Sequence, residues 1–281
     1  MKRNKKWSTF ILLLFFFIGL LVMLYPALSN YWNQRTQSKA IVDYEKMMEN
    51  IPAEDYSRLF DQAYDYNSDL SQLRFPLLDY RKLTKDYNLA LNPIGTGMMG
   101  YINIEKIGVS LPIYHGTGDE VLSVAVGHVE GSSLPVGGKG NHTILSAHRG
   151  LPTATLFTNL DHLEIGDMFT INILDRTTSY QVDQINIVEP EDTQYLNIDK
   201  DEDLCTLITC TPYGINTHRL LVRGHQVEAA QKQTLFVTNE AYRIDTLIVT
   251  PFVALPMILV LLIYVMLKPV KKEKNNSGGK L

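Results

Sequence analysis

The chain has only 2 cysteines in 281 residues, too few for the disulfide framework that staples small secreted domains. Cys205 and Cys210 are separated by an odd offset, so on one strand they point to opposite faces and cannot bridge without breaking it. We therefore expect Cys205 to pack and Cys210 to be a free thiol. The sequence has no internal repeat and no low-complexity tract, and Gly137-Gly138 is not followed by Lys-Ser/Thr. Solenoid architectures and P-loop nucleotide chemistry are thereby excluded. The 7 histidines also lack recognised metal spacing, since neither His142/His148 nor His218/His225 fits a standard ligand pattern. No metal and no cofactor is expected.

Basic charge is scarce outside the tails. Lys2, Arg3, Lys5 and Lys6 precede the first apolar run, and Lys268, Lys271, Lys272, Lys274 and Lys280 follow the last, so the tails hold nine of 26 basic residues. They contain one acid, Glu273, which leaves 17 basic against 29 acidic residues, a net −12, in between. So acidic a middle argues against a nucleic-acid surface.

Long apolar runs are present twice, at Trp7–Leu28 and Thr246–Leu267. Each approaches the ~20 residues that cross a bilayer as a helix. With basic clusters on both outer flanks, the positive-inside rule predicts a two-pass protein of the cell membrane, both termini cytoplasmic and residues 30–245 outside. The first run is expected to stay rather than be cleaved near Ala27-Leu28-Ser29, because it exceeds a signal-peptide core in length. The implied organisation is a cytoplasmic terminus (1–6), a transmembrane helix or signal anchor (7–28) and a helical region (29–90). A catalytic domain (91–229), a linker (230–245), a second transmembrane helix (246–267) and a basic cytoplasmic tail (268–281) follow.

Between the runs the texture changes once. Ala40, Ile41, Tyr44, Met47, Met48 and Ile51 recur at helical spacing, and a second helix starts after Pro52 with Tyr56, Leu59, Phe60, Ala63 and Tyr64 on one stripe. Residues 65–91 have a mixed pattern broken by Phe75-Pro76 and read as a loop or cover. From Gly100 onward short β-like runs alternate with turn signals: 101–104, 121–127, 141–146, 168–174, 179–189, 205–209 and 220–227. A short helix is expected at 152–160. Such regular short strands predict a mainly β domain, a sandwich or closed barrel.

One segment carries chemistry. Thr206–Arg223 reads TLITCTPYGINTHRLLVR: a strand ending at Cys210, a Pro/Gly/Asn turn and a return bearing Arg219. Leu204, Thr206, Ile208 and Cys210 share one strand face. Taken alone, a free cysteine there is more often a small buried hydrophobe than a nucleophile, and a lone histidine such as His148, ending NHTILSA, more often packs or faces solvent. Three such groups at equivalent strand ends change that balance.

The segments Leu134–Leu160 and Thr206–Val227 closely resemble the sortases, cysteine transpeptidases of Gram-positive cell surfaces, with Thr206, Leu207, Ile208, Thr209 and Cys210 as the TLxTC signature. The resemblance runs from about Leu91 to Val227. The second apolar run and the stretch from Leu91 to Ile102 look like class C, the pilin-polymerising branch. It implies an eight-stranded sortase-type barrel with N-terminal helices and two flanking transmembrane helices. It also implies Cys210 as nucleophile, His148 as acid and base, and Arg219 steadying the oxyanion or substrate backbone. Ser146, Thr209 and Pro212 are expected to line the substrate. The implied partners are LPXTG-bearing pilin subunits, the lysine amine of a pilin as acceptor, and the lipid bilayer. Transfer to a peptidoglycan precursor, or a non-catalytic scaffold for pilus assembly, are the alternatives. Class C members commonly carry a lid with an Asp-Pro-aromatic triplet. None occurs here, and Phe75 in Leu73–Leu77 is the nearest candidate plug.

Overall fold

The alternation of apolar and polar residues from Met98 onward is resolved as a closed barrel. The structure is a computed structural model and describes residues 4–83 and 86–228. Eight strands are found among these residues: β1 (Met98–Ile104), β2 (Val109–His115), β3 (Val126–His128), β4 (Asn141–Ser146), β5 (Met168–Ile173), β6 (Arg176–Val188), β7 (Asp203–Thr211) and β8 (His218–Val227). They close in the order β1-β2-β3-β4-β7-β8-β6-β5. The β2/β3 and β4/β7 pairs are parallel and the others antiparallel. Closure leaves no free sheet edge. Inward-facing Ile102, Ile104, Phe169, Ile171, Tyr180, Val182, Cys205, Leu207 and Val222 fill the core, with Phe169 and Tyr180 stacked at 5.4 Å.

Four helices accompany the barrel among the described residues: α1 (Asn4–Met48), α2 (Ala53–Ser71), and the short α3 (Pro76–Asp79) and α4 (Asp119–Leu122). Among the described residues, 28–228 form one compact unit, which holds the barrel, and 4–27 belong to another. α1 contains a stretch long and apolar enough to cross a membrane by length and composition. The second expected span at 246–267, the linker at 230–245 and the basic tail lie outside the described residues. Within the barrel unit, Ile41, Tyr44 and Met48 of α1 are buried against Met98, and the Tyr44 hydroxyl donates to the Met99 carbonyl at 2.8 Å. α2 buries Phe60, Ala63, Tyr66 and Leu70. Its Asn67 also exchanges two hydrogen bonds with the backbone of Leu134, at 2.7 and 3.0 Å.

Several expectations are corrected. The helix expected from Ala40 to Ile51 is the end of α1, which runs unbroken from Asn4 to Met48. The expected strand at 121–127 is helical at α4 and extended only at β3. The strand β2 was not anticipated, since Pro112 interrupts its pattern. No helix forms at 152–160, where a Leu151–Ala154 bridge and successive turns replace it.

Two buried ionisable groups give this barrel opposing pH responses. His128 is fully buried, its Nε2 2.9 Å from the Ser133 carbonyl and its Nδ1 2.8 Å from the Tyr87 hydroxyl. Burial pushes its pKa down to about 4. Asp203 accepts from Gly138 N at 2.6 Å and from the Tyr180 hydroxyl at 3.2 Å, yet burial raises its carboxyl to about 6. The depressed histidine contributes stability that is present above its unfolded pKa and lost as pH falls from about 6.5 to about 4. The raised aspartate favours the fold below its unfolded pKa, and this is lost as pH rises from about 4 to about 6. Each limb is worth about 3 kcal/mol and their slopes oppose between pH 4 and 6. Asp203→Asn keeps an acceptor for Gly138 and removes one limb. We expect the variant to be more stable than wild type by about 1–3 kcal/mol at pH 8 and to lose stability more steeply than wild type on acidification. Denaturant midpoints of the full chain in detergent between pH 4 and 8 measure this, and parallel profiles for the two proteins would refute it.

Candidate active site

β7 alternates strictly over its second half: Cys205, Leu207, Thr209 and Thr211 are buried while Ile208 and Cys210 are half-exposed. Cys210 thus stands at the end of the outer face, as the period of a strand requires. Both cysteines are free thiols, Cys205 fully buried. Burial, with the Asp203 charge beside it, pushes the Cys205 thiol well above its usual value, so it is the inert one of the pair.

The registers on either side of β7 bring the other two groups to Cys210. On one side Cys210 faces Arg219 directly across the antiparallel β7/β8 ladder. On the other, the parallel β4/β7 register pairs Ser146 with Ile208, and Ala147 N continues the ladder by donating to the Ile208 carbonyl at 3.1 Å. His148 and Cys210 each follow two residues after the Ser146/Ile208 pair, so the chain leaves the ends of β4 and β7 in step toward them. Opposed residues point to the same face, and adjacent backbones lie about 4.8 Å apart. Cys210 and Arg219 are paired across β7 and β8, and His148 lies two residues beyond the end of the neighbouring strand β4, so the three gather at one end of adjacent strands. All three are half-buried.

The group is held by its surroundings. The Thr209 hydroxyl donates to the Ala147 carbonyl at 2.8 Å, fastening the end of β4 to β7 one residue before His148 and Cys210. The His148 carbonyl accepts from Phe157 N at 3.1 Å. The Arg219 Nη1 donates to the carbonyls of His218 at 3.1 Å and Asn216 at 3.4 Å, and its other nitrogens have no partner among the described residues. A guanidinium so anchored at one nitrogen presents its remaining donors as fixed positive charge.

The other expected residues divide. Ser146 is half-exposed on the face shared with Ile208 and Cys210, and Pro212, preceded by a cis peptide bond, is exposed in the β7–β8 turn; both border the group. Thr209, expected to line the substrate, is 1% exposed, and its hydroxyl fastens backbone. Phe75, the candidate plug, is 53% exposed. It lines a cleft with Gly131, Ser132, His142 and Asn197, with the Arg74 guanidinium 5.1 Å over its ring.

Sequence reasoning missed Arg149 and its partners. Its side chain, 8% exposed, pairs with Asp161, donates to Thr211 Oγ1 at 3.3 Å and lies 5.9 Å from the Tyr213 ring centre. It joins the turn after His148 to the turn after Cys210. The available signal was its place beside His148, but Asp161 and Thr211 are brought to it only by the fold. Tyr213 and Ile215 are 60% and 68% exposed on the β7–β8 turn, giving the site an apolar wall.

A thiol, an imidazole and a fixed cation at one end of adjacent strands can support acyl transfer. The comparisons point the same way. Residues 102–227 match the sortase domain model. The structure of sortase C1 from Streptococcus agalactiae is 47% identical, covers 68% of this chain and 98% of its own, and superposes with a TM-score of 0.62. Sortase C of Streptococcus pneumoniae, described with its catalysis and pilin substrate specificity, is 38% identical over 68% of this chain and 97% of its own, with a TM-score of 0.58. Sortase D of Bacillus subtilis is 29% identical over 131 residues, 46% of this chain, and the match spans 63% of that relative's length.

Proposed function

Because this chain belongs to the sortase family, we propose that it is a membrane-anchored cysteine transpeptidase of the pilin-polymerising kind. The observation that carries this reading is the free thiol of Cys210 paired with Arg219 across β7 and β8, with His148 just past the end of the adjacent strand β4. In this reading the Cys210 thiolate attacks the Thr carbonyl carbon of an LPXTG-type sorting signal, and negative charge builds on the carbonyl oxygen beside the Arg219 guanidinium. The Thr–Gly bond breaks as His148 gives its proton to the departing Gly amine. This leaves a thioacyl enzyme and a neutral imidazole. A lysine amine of a second pilin then attacks the thioester, loses its proton to His148 and leaves as an isopeptide, and the thiolate is restored. Ser146, Pro212, Tyr213 and Ile215 border the bound peptide.

The partners are LPXTG-bearing pilins and the bilayer. Two spans place both termini in the cytoplasm and the barrel outside, consistent with the apolar stretch in α1. Transfer to a pilin lysine rather than to a peptidoglycan precursor is favoured by the 47% identity to a sortase C1. The test is competition. Enzyme and an LPXTG-type peptide are offered a pilin-derived lysine peptide and a short oligoglycine or diamino-acid acceptor at equal concentration. Product masses should show the lysine isopeptide in excess, whereas predominance of the other acceptor would assign the housekeeping reaction, and release of free acid alone a hydrolase.

A further inference from the structure

The half of α1 that belongs to the barrel unit begins with a stripe of amides where an apolar face would be expected. Asn30, Asn33 and Gln37 recur at spacings of 3 and 4, in phase with buried Ile41, Tyr44 and Met48, so all six share one helix face. The amides do not face solvent. Asn30 Oδ1 accepts two hydrogen bonds from Thr155, one from its backbone N and one from its hydroxyl, both at 3.0 Å. Asn33 Nδ2 donates to the Thr153 carbonyl at 2.8 Å, and the buried Gln37 donates to the Val124 carbonyl at 2.7 Å.

The segment so gripped is the return of the His148 turn. Immediately after Thr155, the buried Leu156 has a φ of 42°. Side chains rarely adopt that left-handed conformation, and it persists only where neighbours fix it. The next residue, Phe157, is buried and its N–H donates to the His148 carbonyl at 3.1 Å. A continuous path of hydrogen bonds and one constrained backbone therefore runs from Asn30 through Thr155, Leu156 and Phe157 to His148. Seen from the other side, Arg149 is pinned by Asp161 and Thr211, so the turn is fixed at both ends and α1 supplies the outer one.

We propose that Asn30 is a positioning residue for His148, with Asn33 in support: the anchor helix, docked through these amides, sets the backbone that aims the imidazole at Cys210. This rests on the reading of Cys210 and His148 as catalytic. It implies that the anchor tethers the enzyme and also completes the geometry of its site.

The polarity of each bond supplies the test. Asn30 acts only as an acceptor toward Thr155, so Asn30→Asp preserves the grip and Asn30→Ala abolishes it. Asn33 acts as a donor toward Thr153, so Asn33→Asp abolishes its bond. The full chain in detergent is assayed for peptide turnover, for the rate at which iodoacetamide alkylates Cys210 at neutral pH, and for Tm. Alkylation reads the thiol's surroundings without any sorting peptide, and the buried Cys205 stays silent. Asn30→Ala is expected to lower kcat about tenfold with KM within about twofold of wild type, and to slow alkylation in step with His148→Ala. Asn30→Asp should return both to within about twofold, while Asn33→Asp should not recover. Unchanged kcat and alkylation in Asn30→Ala would overturn the proposal, as would losses in Asn30→Ala and Asn30→Asp alike that follow Tm alone. If His148→Ala itself leaves alkylation and turnover unchanged, the catalytic reading fails and takes this proposal with it.

Discussion

Cys210→Ala will form no covalent adduct with an LPXTG-type peptide, while the wild-type chain gains the mass of the acyl fragment. Turnover should fall by at least about 10³-fold, because what remains is binding and a positioned cation without a nucleophile. The loss will be chemical rather than structural. Cys210 ends its strand face half-exposed, and removing one sulfur there changes stability by less than about 1 kcal/mol. Cys205→Ala supplies the converse. That thiol is fully buried among core residues, so its loss should cost about 1–2 kcal/mol of stability and leave the adduct intact. Intact mass spectrometry of the three proteins, with a melting curve for each, measures both effects. An adduct on Cys210→Ala would remove the nucleophile from its assigned place. Normal pilus polymer from cells carrying only that variant would favour the scaffold reading.

Arg219→Lys will be nearly as damaging despite conserving charge. The guanidinium is held through one nitrogen by the carbonyls of Asn216 and His218, which leaves a planar fork to meet a developing oxyanion. An ammonium is a compact, strongly hydrated point charge on a flexible stem and cannot keep the anchor and reach the substrate together. Loss of one oxyanion donor costs about 10²–10³ in kcat, or about 2.7–4 kcal/mol, and that is the fall expected here. KM should change little, since the interaction forms as charge develops. Steady-state kinetics with a quenched peptide checks this, and a lysine variant within threefold of wild type would contradict the assignment.

The sequence by itself determined more of the site than of its support. Period-2 alternation put Cys210 on an outer face and Cys205 on the inner one, and TLITC with the returning Arg219 was local enough to be read as a hairpin. His148 could be marked as a strand end but not as a neighbour of Cys210. The β4/β7 pairing that joins them is parallel and crosses more than fifty residues of chain, and no local pattern specifies such a register. The helix of residues 53–71 was legible from its stripe, although burial shifted to Tyr66 and Leu70 once the barrel chose which side it met.

Tertiary structure alone decided the rest. Phe75 was the nearest aromatic to the lid triplet that the resemblance implies, but its location depends on which cleft α3 meets. Thr209 read as a substrate contact from its place beside Cys210, and the pleat turns it inward to fasten Ala147. Nothing local in the sequence marks the amides of Asn30, Asn33 and Gln37. Their partners lie more than 80 residues away and, apart from the Thr155 hydroxyl, are backbone groups, and a hydrogen bond to backbone leaves no trace in the partner's side chain. Local periodicity specifies which face a residue occupies, whereas only the closed barrel specifies what that face meets.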